Sequence, residues 1–300
     1  MKTLNEVFKD FFEYNKPLWS NRTRLYKKQA YRDHVKPFLG KTKVNEIKPI
    51  DILKVLKILE DEGKTKTTKF VLQMLRKCFH LAVASAYCDF NPATSLTDAL
   101  KPHQTKNHPF ISESRMPFLF KALKEDGRLD LEFKVAFLLV TYTAVRVNEA
   151  CKARWPEFSF KQERWSIPAS RMKRRRPHVV PLPKQVIEIL LMWKDKCPSN
   201  VLVFPELKDI NKPMYSIRLI NAINKTSYKG KQTVHGLRGR FSTSAYESEL
   251  WRDDAIEMSL AHAVRGTKGI YNKATYFSER QKLMQWYANK VEKWSKDFLI

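Results

Sequence analysis

Long apolar runs are missing from this 300-residue sequence, and none approaches the length needed to cross a bilayer. A membrane-spanning role is therefore not expected. The amino terminus, MKTLNEVFKDFFEY, interleaves charges with apolar residues and lacks the continuous apolar core of an export signal. Cysteine is scarce as well. Cys78, Cys88, Cys151 and Cys197 form no CxxC pair and no Cys/His cluster with zinc spacing. They read as reduced, mostly buried thiols of a cytoplasmic protein with no bound metal. Acidic residues are under-represented, 31 Asp and Glu against 56 Lys and Arg.

That imbalance leaves a net charge of +25, which points to a polyanionic partner. It is not confined to a tail. Residues 1–106 carry 21 basic and 11 acidic side chains and residues 107–300 carry 35 and 20, so both parts are basic. Nucleic acid explains such a spread better than a merely soluble surface does. A hydrophobic content of 43% fits folded material, enough for one large or two moderate domains.

Helical periodicity covers residues 3–15 and 22–37, with Val7, Phe11, Phe12, Leu25, Tyr31, Val35 and Phe38 expected in the core. Ser20 and Asn21 would cap the second helix, and Gly40 follows its end. Further helices are expected at 49–62 and 66–87. The last places Phe70, Leu72, Leu75, Phe79 and Leu81 on or near a core stripe while Lys69, Arg76 and Lys77 remain for solvent or phosphate. The stretch from Asn91 to Pro109, with three prolines, reads as a linker.

Beyond a helix near 113–126, the run from Val135 to Tyr142 is nearly all apolar and must be buried. Arg146 emerges just after it, with Glu149 three residues on. This is either an intrahelical pair worth a few tenths of a kcal/mol or an arginine fixed at the floor of a site, with Glu149 supporting it. The runs RWPEFSF, RWSIPAS and PHVVPLP read as a small antiparallel sheet. Between the last two lies RMKRRR, residues 171–176, either a solvated charge run or a hairpin turn that pushes Lys173 and its neighbours into a groove. Helices follow at about 183–196 and 214–225, and the chain ends in an amphipathic helix with Leu283, Trp286, Val291 and Trp294 near one face. Its terminal Phe298-Leu299-Ile300 packs on its own domain or docks on a neighbouring subunit.

The stretch from His235 to Tyr271 concentrates reactive groups: His235, Arg238, His262 and Tyr271. If His235 begins a helix, the i, i+3 spacing puts its ring and the Arg238 guanidinium on one face. A planar guanidinium offers paired donors that match two phosphate oxygens, and an imidazole adds a donor or a proton acceptor. Taken singly, each motif has an ordinary structural reading, His262 as a satisfied core histidine and Tyr271 as a half-buried helix residue.

In combination the residues resemble the tyrosine recombinases, or phage-type integrases. Thr143-Ala144-Val145-Arg146-Val147-Asn148-Glu149 is similar to that family's TGxRxxE box, with Ala144 where glycine is usual. Lys173 matches the hairpin lysine, His235 and Arg238 the HxxR motif, and Leu260-Ala261-His262 the LxH motif, with Tyr271 nine residues further on. The tail YNKATYFSERQKLMQWYA looks like that of integrases of satellite prophages and genomic islands. The resemblance covers roughly residues 5–295 and supplies the motifs in order.

The resemblance implies a mainly α fold with a small antiparallel β-sheet. A helical core-type DNA-binding domain would occupy 1–100, a linker 101–110, and a tyrosine-recombinase catalytic domain with a C-terminal tail helix 111–300. No additional amino-terminal arm-binding domain is expected. The implied activity is site-specific recombination through a 3′-phosphotyrosine and a Holliday junction, with Arg146, Lys173, His235, Arg238, His262 and Tyr271 catalytic and Glu149 behind Arg146. No metal or cofactor is required. The implied partners are double-stranded DNA with specific core sites, a homo-tetramer on paired sites, and accessory DNA-bending proteins, in a bacterial cytoplasm and at its nucleoid. Lys69, Arg76, Arg174 and Arg175 are the expected phosphate contacts. Two other readings stay open, a type IB topoisomerase-like relaxing enzyme and a non-catalytic DNA-binding regulator, and Tyr276 is a rival nucleophile.

Overall fold

The first helix starts where its sequence provides both halves of a capping box. The Glu6 N–H donates to Thr3 Oγ1 at 3.4 Å, and the Thr3 N–H donates to Glu6 Oε2 at 2.8 Å. It opens the first of two units, Met1–Lys106 and Asn107–Ile300, in a computed structural model that describes residues 1–102, 107–125, 127, 129–262 and 274–299. Among the described residues no helix is long and apolar enough to cross a membrane.

The first unit is helical: α1 (Leu4–Asn15), α2 (Asn21–His34), the single turn α3 (Lys36–Leu39), α4 (Pro49–Asp61) and α5 (Thr65–Ala84). Val7, Phe11, Phe12, Tyr31 and Val35 meet Leu72, Leu75 and Phe79 in its core. Two expected core residues are not there, since Leu25 is 69% exposed and Phe38 54%. Helix α2 turns its Lys27–Ala30–Tyr31 face inward, and Leu25 lies two residues, about 200°, from Lys27. Lys27 fills the apolar position because its ammonium lies 4.7 Å from the centre of the Trp19 ring and 5.0 Å from that of Phe70. The helix breaks at Val35 instead of reaching residue 37, and the new turn carries Phe38 outward.

The Asn91–Pro109 stretch is not a free linker over its first half. Ala93 and Leu96 are buried, the Asn91 side chain donates to Arg76 O at 2.8 Å, and Lys101 N donates to Glu60 Oε1 at 2.5 Å. Arg76 answers by donating to Ala93 O at 3.2 Å and Thr94 O at 2.7 Å. Its guanidinium is therefore engaged by its own chain, whereas Lys69 is exposed.

The second unit is built around α7 (Leu131–Thr143), whose residues from Val135 to Thr143 are all buried. An all-round apolar helix must be covered on every side. Around it pack α8 (Val147–Cys151), α9 (Lys184–Lys194), α10 (Ile217–Asn224), α11 (Gly236–Glu247) and α13 (Phe277–Trp294), with α6 (Met116–Lys124) and α12 (Asp253–Ser259) against α13. The sheet expected from the β-rich runs is present: β1 (Phe158–Ser159), β2 (Arg164–Ile167) and β3 (His178–Pro181), antiparallel, with Trp165 opposite Val180 and Ile167 opposite His178. A second hairpin, β4 (Pro205–Glu206) with β5 (Asp209–Pro213), has no counterpart in the sequence reading. Its strands are short, polar and mostly solvent-facing, so they carry no alternation.

Phe298 settles on its own unit rather than on a neighbour. It is 1% exposed, with its ring centre 5.1 Å from that of Phe120 and 6.2 Å from that of Phe137. Phe298→Ala should therefore cost about 3–5 kcal/mol, read as a lower urea midpoint. An unchanged midpoint would show that the tail contributes nothing to the core.

Candidate active site

The site begins where α7 stops. Ala144 lies in the left-handed region at φ 50° and ψ 23°, and the chain then runs extended through Arg146, φ −70° and ψ 142°, into α8. Glu149 fixes that corner from both sides. One carboxylate oxygen accepts the Arg146 backbone N–H at 2.9 Å and the other accepts Arg146 Nη1 at 2.9 Å. The Arg146 side chain keeps about a quarter of its surface open, 23%.

Arg238, on the first turn of α11, is 5% exposed. Its Nη1 donates to the carbonyl of Ala144, which the left-handed residue presents, and its Nη2 donates to Leu260 O at 2.6 Å. His262 Nε2 lies 3.5 Å from the same Nη2. A buried cation held by carbonyls and an imidazole is incompletely compensated. Burial first, and then the Arg146 charge, brings the Arg238 guanidinium down to about 10. The arrangement favours an incoming anion, which would relieve both.

His262 stands just beyond α12, with Nδ1 2.8 Å from Glu257 Oε2. The other Glu257 oxygen accepts the Tyr246 hydroxyl at 3.2 Å. His235 is the residue that starts α11, and its ring, partly covered by its neighbours, lies 4.5 Å from that of His108. Desolvation lowers its pKa to about 4, helped by His108, Arg238, Arg146 and His262, so at pH 7 it is a neutral acceptor. Beneath them lie two more buried nitrogen bases. His178 is held down at about 3 by burial and then by Arg280, Arg238 and Arg146. Arg280, 4% exposed, donates to Val179 O at 2.6 Å and to Ser259 Oγ at 3.3 Å.

Arg146, His235, Arg238 and His262, separated by up to 116 residues of chain, thus face one another electrostatically around the left-handed corner. Lys173, Arg174 and Arg175 lie on the exposed β2–β3 turn, and Arg175 has a φ of 52°. Lys173 makes no hydrogen bond to the four among the described residues. Arg171 of the same run turns inward instead, to Glu157 and the Glu149 carbonyl. Tyr271 lies outside the described residues. The rival Tyr276 donates its hydroxyl to Asp254 Oδ2 at 3.1 Å. Among the described residues no group of three or more His, Cys, Asp or Glu side chains could hold a metal.

Sequence reasoning did not single out His108, His178, Glu257 or Arg280. Glu257 carried a readable signal, a carboxylate five residues before a histidine. His108 sits in a stretch read as linker, and His178 and Arg280 meet only through β3 and α13.

Comparison with known proteins gives a consistent answer. The phage integrase family matches residues 109–277, and the phage integrase central domain matches residues 4–99. The integrase of Shigella phage Sf6 is 32% identical over 289 residues, 96% of this chain and 74% of that protein. Among solved structures, a lambda integrase dimer bound to a COC′ core site superposes with a TM-score of 0.70 at 16% identity, covering 88% of this chain and 96% of that one. A lambda integrase tetramer bound to a Holliday junction gives 0.70 at 15%, covering 89% and 79%.

The left-handed corner also explains why alanine is tolerated where glycine would be natural. Alanine at this conformation costs about 1–2 kcal/mol. Glycine would forfeit about 0.8 kcal/mol of methyl burial and about 0.5–1 kcal/mol of chain entropy. The terms cancel, so Ala144→Gly should move the melting temperature by no more than about 3 °C. A much larger shift in calorimetry would mean that the corner is held by something else.

Proposed function

The chain belongs to the phage integrase family of tyrosine recombinases, and from that premise we propose that it cuts and rejoins duplex DNA at specific core sites through a 3′-phosphotyrosine on Tyr271. The Tyr271 phenol oxygen attacks the scissile phosphorus, a P–O bond to tyrosine forms, and the bond to the 5′-oxygen breaks. A phenol of ordinary pKa, about 10, is barely ionised at pH 7, so its proton must leave during attack. Neutral His235 accepts it. Lys173 supplies a proton to the departing 5′-oxygen. Arg146 and Arg238 hold the non-bridging oxygens as charge builds, and His262 donates a further hydrogen bond.

One observation carries this reading: Arg238 is held under the surface by Ala144 O and Leu260 O beside Arg146 and His262, so fixed donors and positive charge converge at one place suited to a phosphate. A 5′-hydroxyl from a second duplex then attacks the phosphotyrosine and releases Tyr271, which exchanges a strand without an external energy source, metal or cofactor. Residues 1–100 act as the core-type DNA-binding domain and residues 111–300 as the catalytic domain. Exposed Lys69, Arg174 and Arg175 are the better phosphate contacts, and Arg76 is the weakest because its donors are already engaged. Four protomers on paired sites pass through a Holliday junction, as the lambda integrase tetramer on such a junction supports. Accessory DNA-bending proteins complete the assembly, and the reaction takes place in a bacterial cytoplasm.

A nicked suicide substrate tests the chemistry. The protein should form a covalent adduct that Tyr271→Phe abolishes and Tyr276→Phe retains, and Arg238→Ala should slow it by roughly 10²–10³-fold. The reverse result for the two tyrosines would reassign the nucleophile. Joining of two sites separates recombination from topoisomerase-like relaxation, and no adduct at all would leave a DNA-binding regulator. Because only neutral His235 accepts a proton, the rate should persist below pH 6.5 and be lost as pH falls towards about 4. A loss centred at 6.5 would remove His235 from that role.

A further inference from the structure

His108 is carried by the segment that leads into the second unit, and the three residues after it fasten that segment along residues 232–240. Proline after it confines His108 to extended backbone. The Pro109 carbonyl accepts the Thr233 N–H at 3.1 Å and lies so close to α11 that a Cβ on Gly236 would meet it at 2.3 Å. The Phe110 ring lies over Gly239, where a Cβ would stand 2.8 Å from it, and against the Arg240 guanidinium, 5.7 Å from the ring centre. The Ile111 N–H donates to Oε1 of Gln232, itself 1% exposed. Two positions of the HGLRG stretch are thus glycine because this segment passes over them. What the fastening delivers to the surface is one imidazole, its centre 4.5 Å from that of His235 with a 60° tilt.

We propose that His108 is a positioning residue of the recombinase centre: its ring seats the His235 ring, and the close approach of a second imidazole keeps His235 uncharged and ready to accept the tyrosine proton. The inference rests on the role given to His235 above. A positive charge on one imidazole opposes protonation of another at this separation. The groups facing His235 are His108 from the leading segment, Arg146 at the start of α8, Arg238 on α11 and His262 beyond α12, all of which oppose its protonation. The carboxylates that could oppose this effect, Glu149 and Glu257, are bonded to Arg146 and His262.

The test compares the wild type with His108→Phe, which keeps a flat ring and removes the nitrogens, and with His108→Asn as a second variant against misfolding. Proton NMR titration of the DNA-free protein reads His235 directly, its resonance assigned by its loss in His235→Gln. Both His108 variants should raise the His235 midpoint by on the order of half a pH unit, the size of one screened charge at this distance. The acid limb of adduct formation on the suicide substrate should move up by the same amount. A His235 midpoint unmoved in the folded His108→Phe protein overturns the proposal, whatever happens to the plateau rate. An adduct that survives Tyr271→Phe would instead defeat the reading of the site, and the NMR midpoint would still decide the effect of His108 on His235.

Discussion

The buried guanidinium of Arg238 is the constraint around which the candidate site of the second unit is arranged. A cation at 5% exposure is costly unless its donors are satisfied, and here two backbone carbonyls do the work. One comes from the left-handed corner after α7, and the other from the end of α12. Carbonyls satisfy hydrogen bonds without cancelling charge. The cation is therefore fixed in position with its charge only partly offset, a preorganised donor of the kind that suits an anion.

The neighbouring groups keep that condition. Glu149 and Glu257 could quench the site, but both oxygens of each are engaged, those of Glu149 by Arg146 and those of Glu257 by His262 and Tyr246. Arg280 and His178 add a buried basic layer below. Lowered basicity in Arg238, Arg280, His235 and His178 has one leading cause, burial, and three of the four also feel a nearby guanidinium. The same crowding that makes His235 a neutral acceptor makes the floor attractive to a phosphodiester.

Parts of this were legible before any coordinates. The unbroken apolar run of α7, the capping Ser20 of α2, and the β-rich runs around turn residues in β2 and β3 are local signals, and each produced the expected element. Local signals also misled. Leu25 looked like core because apolar side chains usually are, but Lys27 could bury its stem and rest its charge on aromatic rings. The stretch after Asn91 looked like linker because it is rich in turn residues, but those turns are what let it fold back onto Arg76.

The sequence by itself determined the inventory and its order: an arginine after a buried helix, an HxxR, an LxH and a tyrosine, on a chain basic from end to end. Residue spacing can do this because a helix turn or a strand alternation is set by neighbours within a few positions. Only the tertiary structure decided which charges are compensated. It brought Ala144 O and Leu260 O to one guanidinium, Glu257 to His262, and His108 to His235 across 126 residues of intervening chain. Those pairings depend on how α7, α11 and α12 pack, and no periodicity within one segment encodes the distance between two others.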